Sequence, residues 1–328
     1  MNSLSVSDLT VRYGDLTAVE AVSLAVEPGA VMGIVGESGS GKSTLARAIV
    51  GLAKCSGGNV EVGGIDVQHL SRKQRALTMR RVQMVFQDPK SALDPRFTVE
   101  QCISEAFLGG HSRKGSINRK ERVRQLLEQV SLDPAVARSK PTLLSGGQRQ
   151  RVAIARALGA EPEVLIADEV TASLDVSVQA VILNLLRNIQ REAGLSMLFI
   201  THNLAVVRYM ADEIAVMFQG RIIEAGPTDE VISNPQHPYT RALLEAVPRP
   251  GRRLSSSQEN NDNVSAPDRS DTSGGCKYRA VCSIGPTVRP DREVCVTTDP
   301  IDVAAGKRNH AHCHFAEVAL PRLGLASK

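Results

Sequence analysis

The sequence predicts an α/β fold with a largely parallel central sheet that is covered by helices. Short apolar runs without polar alternation are typical of strands buried on both faces. The runs of this kind are VMGIV (31–35), VQMVF (82–86), VLIAD (164–168) and MLFIT (197–201). Between the last two, residues 177–194 carry apolar side chains at the three- and four-residue spacing of one helix face. Strands that alternate with helices favour a parallel sheet.

The stretches outside that alternation predict further parts of the molecule. The first 30 residues and GGNVEVGGIDV (57–67) predict a small antiparallel β subdomain. Residues 88–150 predict a helical insert, and a main domain then extends over about residues 1–250. Residues 251–275 are polar and rich in Ser, Asn and Asp, so we expect a flexible linker, followed by a cysteine-containing tail over residues 276–328.

Composition and charge disfavour several classes of function. The 328 residues carry 39 Lys and Arg against 35 Asp and Glu, and the net charge of +4 is too small to indicate a nucleic-acid partner. Aromatic residues make up 3% of the chain and Trp is absent, which disfavours stacking on many bases. No run approaches the ~20 apolar residues of a membrane-spanning helix, and the N-terminus lacks a signal-peptide pattern. We therefore expect a cytosolic chain whose membrane role would require a spanning partner.

A glycine-rich segment directly after the first buried run predicts a phosphate-binding loop. It follows the pattern G-x-x-x-x-G-K-S and precedes the helical pattern STLARAIVGL, which is the context that supports the motif. Backbone N–H groups of such a loop surround phosphate oxygens, and the following helix points its positive end at them. The lysine contacts the β- and γ-phosphates, and the next hydroxyl binds Mg²⁺. The residues concerned are Gly36, Glu37, Ser38, Gly39, Ser40, Gly41, Lys42, Ser43 and Thr44.

Polar side chains at the ends of two other buried runs extend this prediction. Asp168 ends VLIAD, Glu169 follows it, and His202 follows MLFIT. Because α/β sheets bind ligands at the carboxyl ends of their strands, we expect these side chains near the phosphates. Asp168 is predicted to hold Mg²⁺ through water, Glu169 to orient or polarise the attacking water, and His202 to contact the γ-phosphate. Taken singly, a charged strand end or a lone histidine is also compatible with a structural role.

A second glycine-rich helix start, LSGGQ (144–148), raises the question of a second phosphate site. Together with VFQDP (85–89) and SLD (173–175), it resembles the nucleotide-binding subunit of an ATP-binding cassette (ABC) transporter. The resemblance covers about residues 1–250, and the motifs stand in the family's order. It implies a RecA-like core sheet and hydrolysis of ATP with Mg²⁺. It also implies that two subunits pack head to tail, so that LSGGQ of one covers the γ-phosphate held by the other.

The family's roles transfer residue by residue onto this sequence. Tyr13 is expected to stack on adenine, although a strand tyrosine is also typical of a core position. Gln87 is expected to contact Mg²⁺ or the attacking water and to report the nucleotide state to the helical insert. Asp175 is expected to reach across the dimer. The residues expected to meet the opposite subunit's γ-phosphate are Ser145, Gly146, Gly147 and Gln148.

Two positions depart from the family's pattern. Val170 follows Glu169 where the family usually has Pro, and Asn203 follows His202 where the family usually has Asp. Neither change removes a ligand. We therefore expect the departures to affect loop stiffness or turnover rate more than the mechanism.

The segment NPQHPYTRALLEAVP (234–248) narrows the resemblance to a group of importers. It is similar to the segment that follows the cassette in subunits of oligopeptide, dipeptide and nickel importers. The resemblance implies an ATP-hydrolysing, energy-coupling subunit, peripheral on the cytoplasmic face of the membrane. Its expected partners are an identical or related cassette, two transmembrane permeases and an extracytoplasmic solute-binding protein.

The cargo is not specified by these motifs, because no residue of this chain is expected to touch it. Dipeptides or oligopeptides are the first choice, and nickel or another small solute is the alternative. An alternative of a different class is a soluble ABC ATPase that acts on ribosomes or DNA. The single cassette and the lack of a heptad run or strong basic block disfavour it.

Four cysteines in the tail are compatible with a separate metal-binding site or with free thiols. The gaps between them are five, twelve and seventeen residues in the series Cys276, Cys282, Cys295 and Cys313. The lack of C-x-x-C disfavours a zinc finger or ribbon, and a reducing cytosol disfavours disulfides. Four thiolates can hold an iron–sulfur cluster, and similar tails in this importer group are associated with a [4Fe–4S] cluster. Free thiols in a small packed domain are an equal alternative, and Cys55 and Cys102 are expected to be small core residues.

Overall fold

The computed structural model describes residues 1–107, 118–246, 274–300 and 310–316. The strands, in chain order, are β1 Leu4–Tyr13, β2 Leu16–Val26, β3 Val31–Val35, β4 Gly57–Val62, β5 Ile65–Asp66, β6 Val82–Val85, β7 Val164–Asp168, β8 Ser196–Ile200, β9 Glu213–Phe218, β10 Arg221–Pro227 and β11 His310–Ala311. The helices are α1 Lys42–Ile49, α2 Arg72–Met79, α3 Pro89–Ala92, α4 Val99–Ser104, α5 Arg119–Gln129, α6 Gly146–Gly159, α7 Val176–Ala193, α8 Leu204–Met210, α9 Thr228–Ser233, α10 Pro238–Glu245 and α11 Val294–Thr297. The predicted linker, 251–275, lies outside the described residues except for its last two glycines.

The central sheet has seven strands in the order β11-β10-β9-β3-β8-β7-β6. Strands β6, β7, β8, β3 and β9 run parallel, and β10 and β11 continue the sheet in antiparallel pairs. Alternate residues of a strand pack into two different apolar clusters: Met197 and Phe199 belong to one, Leu198 and Ile200 to the other. Both faces are therefore buried, which explains the unbroken apolar runs. The predicted α/β class with a parallel sheet is confirmed.

A second sheet of four antiparallel strands has the order β2-β1-β4-β5. Its buried side chains, such as Leu4 and Val6, join the same apolar cluster as Leu45 and Ile49 of α1. The small antiparallel sheet was predicted from the Gly turns. The β9–β10 hairpin was not, because its strands extend the central sheet without a separate motif to mark them.

Helices α3 to α6 lie between β6 and β7 in the chain. Val123 and Leu127 of α5 pack in one cluster with Val152 and Ile154 of α6. This packing gives the segment its own apolar contacts beside the central sheet. Cys102 is buried here, whereas Cys55 is half-buried against the other cluster.

The described part of the tail packs on the cassette. Strand β11 pairs with β10, with Ala311 opposite Glu224 and His310 opposite Ala225. The side chain of Tyr278 packs against the large core cluster. Among the described residues, no helix has both the length and the apolar character required to cross a membrane.

Candidate functional site

The predicted phosphate-binding loop links the buried end of β3 to the start of α1. Gly41 has a φ of 107°, and a Cβ at this position would lie 2.5 Å from the carbonyl oxygen of Ala18. A Cβ on Gly36 would lie 2.1 Å from the carbonyl oxygen of Met217. Side chains at either position would collide with backbone, so these glycines permit the tight turn. No side chain caps the start of α1. Its first N–H groups are therefore available to an anion.

Lys42 is held inside this loop. Its side chain is 4% exposed, and Nζ donates hydrogen bonds to the carbonyl oxygens of Gly36 and Glu37 at 2.8 and 2.7 Å. Burial lowers the pKa of Lys42, and the charges of Glu169 and Asp168 oppose that shift. The ammonium group is thus placed against backbone carbonyls that phosphate oxygens are chemically suited to replace.

Ser43 and Asp168, the two residues that the sequence assigns to one Mg²⁺ site, are in direct contact. The hydroxyl of Ser43 donates to Oδ1 of Asp168 at 3.0 Å, and Asp168 is 3% exposed at the end of β7. Burial raises the pKa of Asp168, while the hydrogen bond from Ser43 opposes the rise. Hydroxyl and carboxylate oxygens are hard ligands, so this pair fits Mg²⁺.

Glu169 lies between two other predicted residues. Its Oε2 accepts a hydrogen bond from Nε2 of Gln87 at 3.1 Å, and its Oε1 lies 3.5 Å from Nδ1 of His202. The backbone of Glu169 has a φ of 45°, which is uncommon for a residue with a side chain, and its N–H donates to the carbonyl oxygen of Ile200. Three strand ends therefore bring these side chains together. An outlier of this kind in a cluster of polar residues is often functional.

The two departures from the family's pattern keep local order. Asn203 accepts a hydrogen bond from the N–H of Ala205 at 3.0 Å and so caps α8, as an aspartate would. Val170 is 1% exposed and packs in the large core cluster. Asn203 thus caps a helix and Val170 fills part of the core.

The second glycine-rich segment begins α6 and is built differently from the first. The hydroxyl of Ser145 accepts from the N–H of Gln148, and the side chain of Gln148 accepts from the N–H of Ser145. A Cβ on Gly147 would lie 2.7 Å from the side chain of Val178 in α7. Ser145 is exposed and Gly146 and Gly147 are partly exposed.

Tyr13 and Asp175 are also exposed. Tyr13 ends β1 with 53% of its surface accessible, which argues against the alternative of a core tyrosine. Asp175 stands before α7 but does not cap it with its side chain. Both side chains are therefore open to partners outside their own elements.

A contact that the motifs did not indicate reaches the phosphate-binding loop from α10. The N–H of Glu37 donates to the hydroxyl of Tyr239 at 3.0 Å, across 202 residues of chain. The N–H of Gly220 donates to the carbonyl oxygen of Ser40 in the same loop. The HPYT segment was singled out in the sequence, but nothing in its pattern pointed to this loop.

The four tail cysteines line one small cavity together with Tyr278 and Phe315. All four are free thiols, and burial raises the pKa of Cys276 to about 12 and that of Cys313 to about 11. Within the described residues, no group of three or more His, Cys, Asp or Glu side chains converges closely enough to hold a single metal ion. The four cysteines thus share a cavity, and no such metal-binding group is found among the described side chains.

The sequence was compared with family models and with curated relatives. A model described as ABC transporter matches residues 19–172, and one described as oligopeptide/dipeptide transporter, C-terminal region, matches residues 223–286. The oligopeptide transport ATP-binding protein OppF of Escherichia coli (strain K12) is 40% identical over 302 residues, which cover 87% of this chain and 89% of OppF. This chain belongs to the ABC transporter family. As predicted, it is an ATPase subunit, and its second matched region is that of the oligopeptide/dipeptide group.

Further relatives agree with this assignment. A Brucella abortus (strain 2308) protein named as a peptide import ATP-binding protein is 48% identical over 241 residues, or 72% of this chain and 71% of that protein. One similar solved structure is cbiO1 from Clostridium perfringens, which is part of the ABC transporter complex cbiONQ. Its TM-score is 0.63 at 32% sequence identity, and the match covers 70% of this chain and 90% of the cbiO1 chain. The ATP-binding cassette MJ0796 was solved as a dimer bound to ADP and phosphate. Its TM-score is 0.62 at 29% sequence identity, and the match covers 69% of this chain and 98% of the MJ0796 chain.

Proposed function

We propose that this ABC ATPase hydrolyses MgATP in a head-to-tail dimer and thereby drives import of dipeptides or oligopeptides. The observation that carries the catalytic part is the position of Glu169 between Gln87 and His202, beside the Ser43–Asp168 pair. A carboxylate, an amide and an imidazole at three strand ends are the groups needed to hold a water against a terminal phosphate.

Each loop residue has a distinct task in this proposal. Lys42 exchanges its carbonyl partners for β- and γ-phosphate oxygens, and the uncapped start of α1 donates backbone N–H groups to them. Ser43 and Asp168 hold Mg²⁺, which neutralises phosphate charge when it is bound. Glu169 accepts the proton of the attacking water, while Gln87 and His202 orient that water and the γ-phosphate.

The second half of each site comes from the other subunit. Ser145 and the two glycines after it are accessible at a helix start, and Asp175 is exposed without capping α7. Adenine stacks on the exposed ring of Tyr13. A single chain therefore offers two half-sites, and a dimer of identical or related cassettes completes two whole ones.

We further propose that a permease segment docks in a groove beside Gln87. The groove has a volume of about 440 Å³ and is lined by apolar side chains of β6, of Phe86 directly after it and of α6, including Val85 and Ala157. Phe86 directly precedes Gln87, which donates to Glu169, so an occupant of the groove would contact the residue next to a catalytic group. Arg80, Glu105 and Arg156 supply polar partners at the same groove.

Leu52 offers a direct test of this docking surface because it lines the groove and is 64% exposed. Leu52→Asp should reduce co-purification with the permeases and leave the ATPase rate of the isolated subunit unchanged. The matched control is Leu77→Asp on α2, which is 50% exposed and does not line the groove. Equal retention of permeases by both variants would reject the groove as the docking surface.

The cargo is tested with the transporter reconstituted together with its solute-binding protein. ATP hydrolysis should rise when dipeptides or oligopeptides are added and should not rise with nickel. Stimulation by nickel alone would leave the ATPase assignment unchanged and would identify nickel as the cargo in place of peptides. Co-purification with ribosomes or DNA in place of permeases would favour the alternative of a soluble ABC ATPase.

A second proposal concerns the tail: Cys276, Cys282, Cys295 and Cys313 hold a [4Fe–4S] cluster. The supporting observation is that all four thiols line one cavity. Four cysteine ligands are the donor set of such clusters. Anaerobically purified protein should contain iron and acid-labile sulfide. Cys295→Ser should lower both, and Cys55→Ser, outside the cavity, should lower neither; protein free of iron and sulfide would reject the cluster.

A further inference from the structure

Tyr239 joins the importer-type segment to the phosphate-binding loop. Its side chain is 2% exposed in α10, and its hydroxyl accepts the N–H of Glu37 at 3.0 Å. The carbonyl oxygen of the same residue, Glu37, accepts a hydrogen bond from Nζ of Lys42 at 2.7 Å. The backbone of Glu37 thus binds Lys42 through its carbonyl oxygen and Tyr239 through its N–H.

The ring of Tyr239 continues this connection into the tail. The centroid of this ring lies 4.7 Å from the ring centroid of Phe218 and 5.5 Å from that of Tyr278. The ring centroids of Phe218 and Tyr278 are 5.3 Å apart. Tyr278 stands between two of the tail cysteines in the sequence and lines their cavity. Rings packed at these distances can transmit a displacement from one to the next, because a packed interior has little free volume.

A second contact begins at the neighbouring tail residue. Nζ of Lys277 donates to the carbonyl oxygen of Gln219 at 3.2 Å and pairs with Glu20. The next residue, Gly220, donates its N–H to the carbonyl oxygen of Ser40 at 2.8 Å. Adjacent residues of the tail therefore reach the phosphate-binding loop at two places, through Tyr239 at Glu37 and through the Gln219 turn at Ser40.

We propose that Tyr239 is a positioning residue for the ATP site and couples that site to the cysteine-containing tail of the same chain. Its hydroxyl preorganises the loop before nucleotide arrives, and its ring passes changes between the loop and Tyr278. Because coupling between two sites is reciprocal, nucleotide binding at the loop should in turn alter the surroundings of Tyr278. This coupling requires ATP at the proposed site, but neither a particular cargo nor a cluster on the cysteines.

Tyr239→Phe tests the positioning role because it keeps the ring and removes only the hydroxyl. Loss of one hydrogen bond to the loop should weaken binding of ATP, measured by titration in the full-length chain, by about 2- to 10-fold. Tyr209→Phe is the matched control, since the hydroxyl of Tyr209 donates to Asn184 on the surface, and its ATP affinity should match the wild type. Wild-type affinity in Tyr239→Phe would overturn the proposal, whatever its melting temperature.

A double-mutant cycle tests the coupling to the tail. Tyr278→Leu removes the ring contact and should weaken ATP binding in the wild-type background, but by less when Tyr239 is already Phe. Effects that simply add in the double variant would overturn the coupling through Tyr239.

Fluorotyrosine NMR provides a readout that does not depend on affinity. The chain has four tyrosines, so uniform labelling gives four fluorine signals. A non-hydrolysable ATP analogue should shift the signal of Tyr278, and Tyr239→Phe should reduce that shift, while the signal of Tyr209 serves as the reference. A Tyr278 signal that does not respond to the analogue would overturn the reciprocal coupling.

Discussion

The two glycine-rich helix starts of this chain differ in how their backbone N–H groups are satisfied. At α1 no side chain caps the helix, and the buried ammonium of Lys42 lies beside the loop. At α6 the side chains of Ser145 and Gln148 cap the helix reciprocally, and Ser145 is exposed. Similar glycine patterns therefore serve different ends. The first N–H groups of α1 are left open to an anion, as the proposed phosphate site requires, whereas those of α6 are satisfied in part by its own side chains.

The largest expected effect is on ATP hydrolysis at the proposed site, which includes the start of α1. Glu169→Gln should lower the ATPase rate of the assembled transporter by about 10²- to 10⁴-fold, because the amide cannot accept the proton of the attacking water. ATP affinity should stay near that of the wild type, since no proposed phosphate contact is removed. Hydrolysis at the wild-type rate would show that Glu169 is not the catalytic base.

Lys42→Ala should weaken ATP binding by roughly 10- to 100-fold, the range for loss of a charged hydrogen-bond donor to phosphate. The measurement is titration of the isolated chain with ATP. Ser145→Ala, at the other helix start, should bind ATP as the wild type does in the same experiment. Equal losses in the two variants would contradict the distinction drawn between them.

The sequence was sufficient to predict the elements whose pattern is local. Buried strands, the loop with Lys42 and the acidic end of β7 each follow from a short stretch of residues and from the rule that parallel strands end at one edge. Contacts between distant segments did not follow. Nothing local indicates that the N–H of Glu37 meets Tyr239 across 202 residues, because such a contact depends on how α10 packs on the sheet.

Side-chain exposure was predicted less well than strand position. Tyr13 was expected to stack on adenine with a core position as the lesser alternative, and only the structure shows its 53% exposure at the end of β1. Asn203 was noted as a departure, but its cap on α8 depends on the local backbone. Patterns of apolar residues specify which face of an element is buried, and they say little about residues at its ends.

The second helix start is tested in mixed dimers. Ser145→Ala should reduce hydrolysis about tenfold through loss of a hydrogen bond to the opposite phosphate. An equal mixture with Lys42→Ala should be more active than either variant alone, because one of the two sites in a mixed dimer keeps both wild-type halves. No gain on mixing would contradict sharing between subunits.

Loss of a helix cap is a separate consequence of Ser145→Ala and needs its own control. Ser71 caps α2 by the same reciprocal arrangement, with Gln74 in the place of Gln148. Ser71→Ala should therefore lower stability by a similar ~1 kcal/mol and leave hydrolysis unchanged. A loss of hydrolysis in this control would assign the effect of Ser145→Ala to destabilisation.

The smallest expected effect concerns the ion pairs of Glu20, whose N–H donates to the carbonyl oxygen of Gly220 beside the phosphate-binding loop. Glu20 pairs with Arg221 and with Lys277 of the tail, and the hydrogen bond from Arg221 lowers the pKa of Glu20 from 4.5 to about 2. Because this pKa is depressed in the folded state, the stabilisation is present above pH 4.5 and is lost as the pH falls through about 2. Glu20→Gln should lower the free energy of unfolding by about 1 kcal/mol at neutral pH.

Urea unfolding of Glu20→Gln and the wild type at a series of pH values measures this contribution. The gap between the two proteins should be constant from pH 7 to 4.5 and should narrow below it, whereas Glu27→Gln, at an exposed position directly after β2, should show no such gap. A gap that closes between pH 7 and 5 would assign it to another titrating group. A constant gap that narrows only in acid would assign this stabilisation to the Glu20 carboxylate, which pairs with Arg221 and Lys277.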